Sequence, residues 1–214
     1  MAAQQTVLGD TRVNGTFVVT GATTGFKRTS LDDETLKSYE QNILDARIHD
    51  NIGVHLDNTH PSDDDLKIED GTFGTDTPSI QSGDIMALGA KTRRTRMLIR
   101  VPENYTDGKP LTLRLRAGMK TTIAGTSATI DAECYLSNKE ALIHATQTGD
   151  MCTTTAIDIN SLTLADRDFT LTPTYVIAGD LLDVRITMSI TDASEVTAVI
   201  GVLGSVQLVC TAKG

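Results

Sequence analysis

The sequence has no tryptophan. With four phenylalanines and four tyrosines, aromatic residues make up 4% of 214. Platforms that stack on sugar rings are built from Trp and Tyr, so this composition argues against carbohydrate binding. Cysteine is scarce as well. Cys134, Cys152 and Cys210 are odd in number and widely spaced, which excludes a disulfide framework and a thiolate metal motif. Cys134 and Cys210 read as small core residues. No apolar run approaches the roughly 18 to 20 residues that cross a bilayer, so no membrane partner is expected. The start, Met1-Ala2-Ala3-Gln4-Gln5-Thr6, lacks the basic and apolar stretches of a secretory signal, and synthesis in a cytosol is the expectation.

Catalytic signatures are missing too. There is no Gly-x-Ser-x-Gly elbow, no phosphate loop and no Gly-x-Gly-x-x-Gly after a strand. Of the four histidines, His55 and His60 are five apart and precede Asp63-Asp64-Asp65. That spacing matches no zinc motif. The aspartates offer oxygen ligands to Ca²⁺ or Mg²⁺ but lack EF-hand spacing, so a solvated acidic loop is the expected reading. Asp131 and Glu133 alternate with apolar residues and read as solubilising outward groups. Neither enzymatic activity nor a metal or other cofactor is expected.

What the sequence has is threonine, 33 of them. Threonine suits a pleated surface and is poor inside helices. From about residue 93 the hydrophobic period is two. Met97 to Val101, Leu111 to Arg116, Ala128 to Leu136, Phe169 to Thr172, Leu182 to Ile190 and Val206 to Cys210 each put alternate apolar residues on one face. No helical pattern intervenes, which predicts an antiparallel β-sandwich over 91–214. The long connection 137–168 favours Greek-key or jelly-roll topology over a meander. Residues 31–48 carry the one helical pattern, with Ser30 as N-cap and Leu36, Tyr39 and Ile43 on one face. Such a helix packs on its own domain or on a partner subunit. Residues 1–30, rich in Gly and Thr, read as an extended arm with Phe17-Val18-Val19 as its apolar element. Residues 31–90 then form a helix and an acidic, loop-rich connector.

The net charge of −9 hides a segregation. Residues 1–30 carry +2, 31–90 carry −11, 91–120 carry +7 and 121–214 carry −7. The basic block could bind nucleic acid, dock on an acidic partner, or pair with acids of the same assembly. Direct nucleic-acid binding is disfavoured, because the chain is acidic and no aromatics are interleaved with the arginines.

Leu111-Thr112-Leu113-Arg114-Leu115-Arg116, Ala128 to Ala132, Phe169 to Pro173 and Ala178-Gly179-Asp180-Leu181-Leu182-Asp183-Val184-Arg185-Ile186 resemble the jelly-roll virion proteins of tailed bacteriophages. The Gly/Thr-rich start is similar to the arms of phage capsid decoration, or cement, proteins. The resemblance covers about residues 95–212 and implies a structural protein on the capsid exterior, made in the host cytoplasm. Its partner would be the major capsid protein, and a homotrimer is the favoured state. Phe17, Val18, Val19, Arg93, Arg94 and Arg96 are then the expected capsid contacts, and Leu36, Tyr39 and Ile43 an inter-subunit helix. The alternative is a receptor- or glycan-binding module of a head or tail fibre. Deleting residues 1–30 is expected to abolish co-sedimentation with capsids while circular dichroism shows the sandwich still folded. Unchanged binding would remove the arm from the interface.

Overall fold

The computed structural model describes residues 34–59, 64–137, 149–173 and 176–213. Its strands are β1 (Glu34–Gln41), β2 (Arg47–Ile48), β3 (Asn51–His55), β4 (Lys67–Glu69), β5 (Ser79–Gln81), β6 (Lys91–Arg100), β7 (Leu111–Thr121), β8 (Ser127–Leu136), β9 (Ile157–Asp158), β10 (Ala165–Leu171), β11 (Leu181–Thr191) and β12 (Ile200–Lys213). They form two antiparallel sheets. The first runs β10-β7-β12-β5-β4, with β1 also paired to β12; the second runs β3-β2-β6-β11-β8-β9. Within this, β5-β12-β7-β10 faces β6-β11-β8-β9. From β5 onward the chain changes sheet at every step except β8 to β9. That is the strand order of a jelly roll.

The core follows from the alternation. Leu182, Val184, Ile186, Met188 and Ile190 of β11 are all buried, as are Ala128, Ile130, Ala132, Cys134 and Leu136 of β8. Leu111, Leu113 and Leu115 of β7 and Val206, Leu208, Cys210 and Ala212 of β12 line the facing sheet. Phe169, the largest fully buried side chain among the described residues, sits opposite Leu113 across the β10–β7 pair. Full burial of each large apolar side chain stabilises the fold by about 1.5–3 kcal/mol.

One expectation is corrected. Residues 31–48 hold no α-helix among their described positions. Glu34–Gln41 is a strand, followed by a 3₁₀ turn at Ile43–Asp45 and then β2. Asn42 caps the turn, its side-chain oxygen accepting from the Leu44 N–H at 3.1 Å. The reason is tertiary. β1 pairs with β12 from Glu34↔Lys213 to Gln41↔Val206, satisfying an edge that would otherwise stand open. A lone helix of this length is marginal in water. Leu36, Tyr39 and Ile43 therefore do not form one stripe. Leu36 points outward and is 72% exposed. The Tyr39 hydroxyl donates to Asn104 Oδ1 at 2.9 Å. Ile43 packs half-buried against the core.

The segment expected to be a connector supplies β1, β4 and β5 to the first sheet and β2 and β3 to the second. Phe17, Val18 and Val19 lie outside the described residues. Among the described residues, no helix is long and apolar enough to cross a membrane. If Leu36 lies on a strand's outer face, Leu36→Ala changes unfolding free energy by no more than about 0.5 kcal/mol. Leu208→Ala, in the core, should cost about 2–5 kcal/mol. Urea titration of the two variants measures both.

Candidate binding surfaces

The +7 block is not one surface. β6 carries Arg93, Arg94, Arg96 and Arg100 in the second sheet, while β7 carries Arg114 and Arg116 in the first. Two strands that are neighbours in sequence are thus sent to different sheets, and within β6 Arg93 lies on the opposite face from Arg94, Arg96 and Arg100. On both sheets the arginines meet carboxylates. Arg96 grips Asp183 of β11 with two donors, Nε to Oδ1 at 2.6 Å and Nη2 to Oδ2. Arg185 of β11 pairs with Glu133 of β8. Arg94 lies 3.5 Å from Asp64, and Arg93 Nη1 donates to the Asp65 carbonyl at 3.5 Å. On the first sheet, Arg114 donates twice to Asp168, both at 2.7 Å, and Arg116 reaches Asp166 at 3.3 Å. The hydrogen bond from Arg114 holds the Asp168 carboxyl below the usual carboxylate range. Arg93, Arg94 and Arg96 do share one strand, but each has an intramolecular partner that an external ligand must displace.

The acidic loop is tied down in the same way. Asp65 is 1% exposed, and its Oδ1 accepts from the His49 backbone N–H at 3.3 Å and lies 2.9 Å from His49 Nδ1. A parallel bridge pairs Asp65 with Arg94, so the carboxylate pins the turn between β2 and β3 to the edge of β6. His49, Asp50 and Asp65 could bring ligand atoms within 4.8 Å of one another, but a metal ion there must break the His49–Asp65 contact. Asp63 lies outside the described residues. The thiols are quiet: burial pushes Cys152 up to about 11 and Cys134 higher still, so neither forms a thiolate near neutral pH.

A groove of about 750 Å³ opens beside β5. Thr77, Pro78, Ser79 and Gln81 form one wall; Arg116, Met119 and Lys120 of β7 and Leu162 and Leu164 form the other. Two glycines seat residues 161–164 against the sheet. A Cβ on Gly118 would sit 3.0 Å from the Ser161 carbonyl, and one on Gly204 would sit 3.0 Å from Leu164 Cδ2. The absence of both lets residues 161–164 lie directly on the sheet. Bulges in β12 at Ile200/Gly201 and Leu203/Ser205 bend the strand at the same place.

The rim of the groove is the loop 70–78. Thr72 accepts two backbone hydrogen bonds, from Thr75 at 2.8 Å and Asp76 at 2.9 Å. Gly71 has φ of 68° and is packed so tightly that a Cβ would come within 2.8 Å of Asp76. At the tip stands Phe73, 105% exposed, with none of the described residues packed on its ring. Sequence reasoning passed over this residue. Its signal was available: one of eight aromatics placed in an Asp- and Gly-rich turn, where no core could receive it.

No family model matches the chain, and no curated protein matches it. Solved structures similar to it include a xylan-binding domain from Paenibacillus barcinonensis, at 10% identity and a TM-score of 0.37 over 70% of this chain and 81% of that one. A carbohydrate-binding module specific for non-crystalline cellulose is similar at 11% identity and a TM-score of 0.38, covering 81% and 96%. A structure of infectious bursal disease virus, Gt strain, is similar at 12% identity and a TM-score of 0.32, covering 86% and 33%. None of these likenesses is close enough to carry a ligand or partner across.

Asp183 is 5% exposed, so Asp183→Asn should cost about 2 kcal/mol by removing a charged hydrogen-bond pair. Asp168 behaves differently. Its lowered folded pKa stabilises the protein above the unfolded carboxylate value, about 3.9, and that stabilisation disappears as pH falls through the folded value. The pair is nearly half exposed, so Asp168→Asn should flatten the acid limb of the stability curve by less than about 1 kcal/mol. Urea titration of both variants between pH 2 and pH 7 measures each effect.

Proposed function

We propose that the chain is a non-catalytic structural virion protein that docks on the outside of an assembled capsid and ties neighbouring major capsid subunits together. The observation that carries this reading is the Phe73 loop. An aromatic ring held wholly in solvent by a hydrogen-bonded, glycine-braced turn is pre-organised to enter a pocket on another protein. Large aromatics at the centre of an interface are the residues whose truncation costs most binding energy. The ionic rows on both sheets keep the remaining surface soluble and leave apolar contact to the loops. Residues 1–30 belong to the same proposal as a second, extended contact, and Arg93, Arg94 and Arg96 as a minor third that exchanges an internal partner for an external one on docking, with little net dependence on salt. A trimer on the capsid exterior, made in the host cytoplasm, adds avidity through repeated weak sites.

A second reading is favoured by the groove. Gln81, Ser79, Thr77 and Arg116 beside Met119, Leu162 and Leu164 combine hydrogen-bonding groups with an apolar floor, the make-up of a small-ligand site. On that reading the chain is a receptor- or glycan-binding module of a head or tail fibre.

Phe73→Ala separates the two readings. Docking through the loop predicts an unchanged Tm and an affinity for capsids reduced about 30-fold or more, the effect of losing about 2 kcal/mol or more at a hot spot. Glycan recognition in the groove predicts a positive glycan array that Phe73→Ala leaves intact and Arg116→Ala abolishes. Capsid binding unaffected by Phe73→Ala overturns the docking role of the loop.

A further inference from the structure

The inward row of β11 runs Leu182, Val184, Ile186, Met188, Ile190, and the next residue of that parity is Asp192. A carboxylate thus stands where the pattern calls for another aliphatic side chain. Asp192 is 1% exposed. Neither of its carboxylate oxygens has a hydrogen-bond partner among the described residues. Its backbone N–H is already committed, donating to the Ala87 carbonyl at 3.1 Å.

The β11–β8 register ends at Thr191↔Ser127, and Thr126 and Asp192 are the next residues of the two segments beyond that pair. Thr126 is 6% exposed, and its Oγ1 also lacks a partner among the described residues. Its backbone is satisfied, the N–H donating to the Ile123 carbonyl at 3.2 Å and the carbonyl accepting from Asn160 Nδ2 at 2.6 Å. Three loops converge at this end of the sandwich: 84–90 through Ala87, 122–126 through Thr126, and 192–199. The approach is close, since a Cβ on Gly125 would lie 3.1 Å from Ala193 Cβ.

An ionised carboxylate buried without a donor carries a large desolvation penalty, and native structures meet such groups with a proton donor, a cation or water. Among the described residues, no Lys, Arg or His forms a salt bridge to Asp192. The unsatisfied atoms are three oxygens, a donor set that suits a hard cation. We propose that Asp192 and Thr126 hold a calcium ion that fastens the three loops to one another. Asp192 supplies the charged ligand and Thr126 a hydroxyl ligand; water and backbone carbonyls complete the shell. A single carboxylate places the site at the weak end of calcium affinities, about 10⁻⁴–10⁻³ M.

The test uses the full chain, stripped with a chelator and dialysed. Equilibrium dialysis should find one Ca²⁺ per chain. Calcium at about 10 mM should raise Tm by several degrees, as a ligand well above its Kd does, whereas equal Mg²⁺ or K⁺ should do less. Asp192→Asn should abolish the calcium response while remaining folded, since the amide needs no cation. Thr126→Val should weaken the response, and it gives a second reading if the first variant folds poorly. Asp50→Asn, in the His49 cluster, should respond like the parent. No bound calcium in the parent overturns the proposal. A response retained in Asp192→Asn, or lost in Asp50→Asn, also overturns it.

Discussion

Strand β12 is the constraint on which the rest of the molecule depends. It is 14 residues long and paired along both edges, to β7 on one side and to β5 and then β1 on the other. Its inward residues Val206, Leu208, Cys210 and Ala212 are buried against the second sheet. Its two bulges let the first part meet β5 and the later part meet β1. At Gly201 a Cβ would come within 2.9 Å of Ile190 Cδ1 and 3.1 Å of Met188 Sδ, so the missing side chain lets the two sheets close at that end. Val202 and Gly204, in this bent stretch, line the groove beside β5.

The regular half of this fold could be read from the sequence. Strands with one buried and one solvated face announce themselves by alternation, and Leu111–Leu115, Ala128–Leu136 and Leu182–Ile190 do so unambiguously. The failure at residues 34–48 has a clear cause. Leu36, Tyr39 and Ile43 fall at helical spacing, yet β1 is placed by its partner strand and not by its own pattern. Its outward face includes Leu36, and its inward face includes Lys37 and Gln41 opposite Cys210 and Val206. No local rule yields that.

The charge pattern misled for a related reason. Sequence arithmetic joins Lys91 to Lys120 into one basic block, but a jelly roll sends consecutive strands to opposite sheets. The block is divided, and its arginines meet carboxylates brought by β10 and β11 or by the acidic loop. Asp64, 30 residues before Arg94, and Asp183, 87 residues after Arg96, become partners only after folding. The site residues hardest to foresee, Phe73 and Asp192, are local exceptions to pattern: an aromatic in a turn, and an acid in an apolar row.

Among the described residues the arginines of β6 and β7 are largely paired within the chain, and on the proposed reading the outward contact is apolar. The most direct test is the salt dependence of the proposed binding to assembled capsids. If docking rests on Phe73 and loop contacts, the dissociation constant should change by less than about threefold between about 50 mM and 500 mM NaCl, because apolar burial is not screened. A steep loss of affinity over that range would contradict the account and return the weight of binding to the arginines of β6.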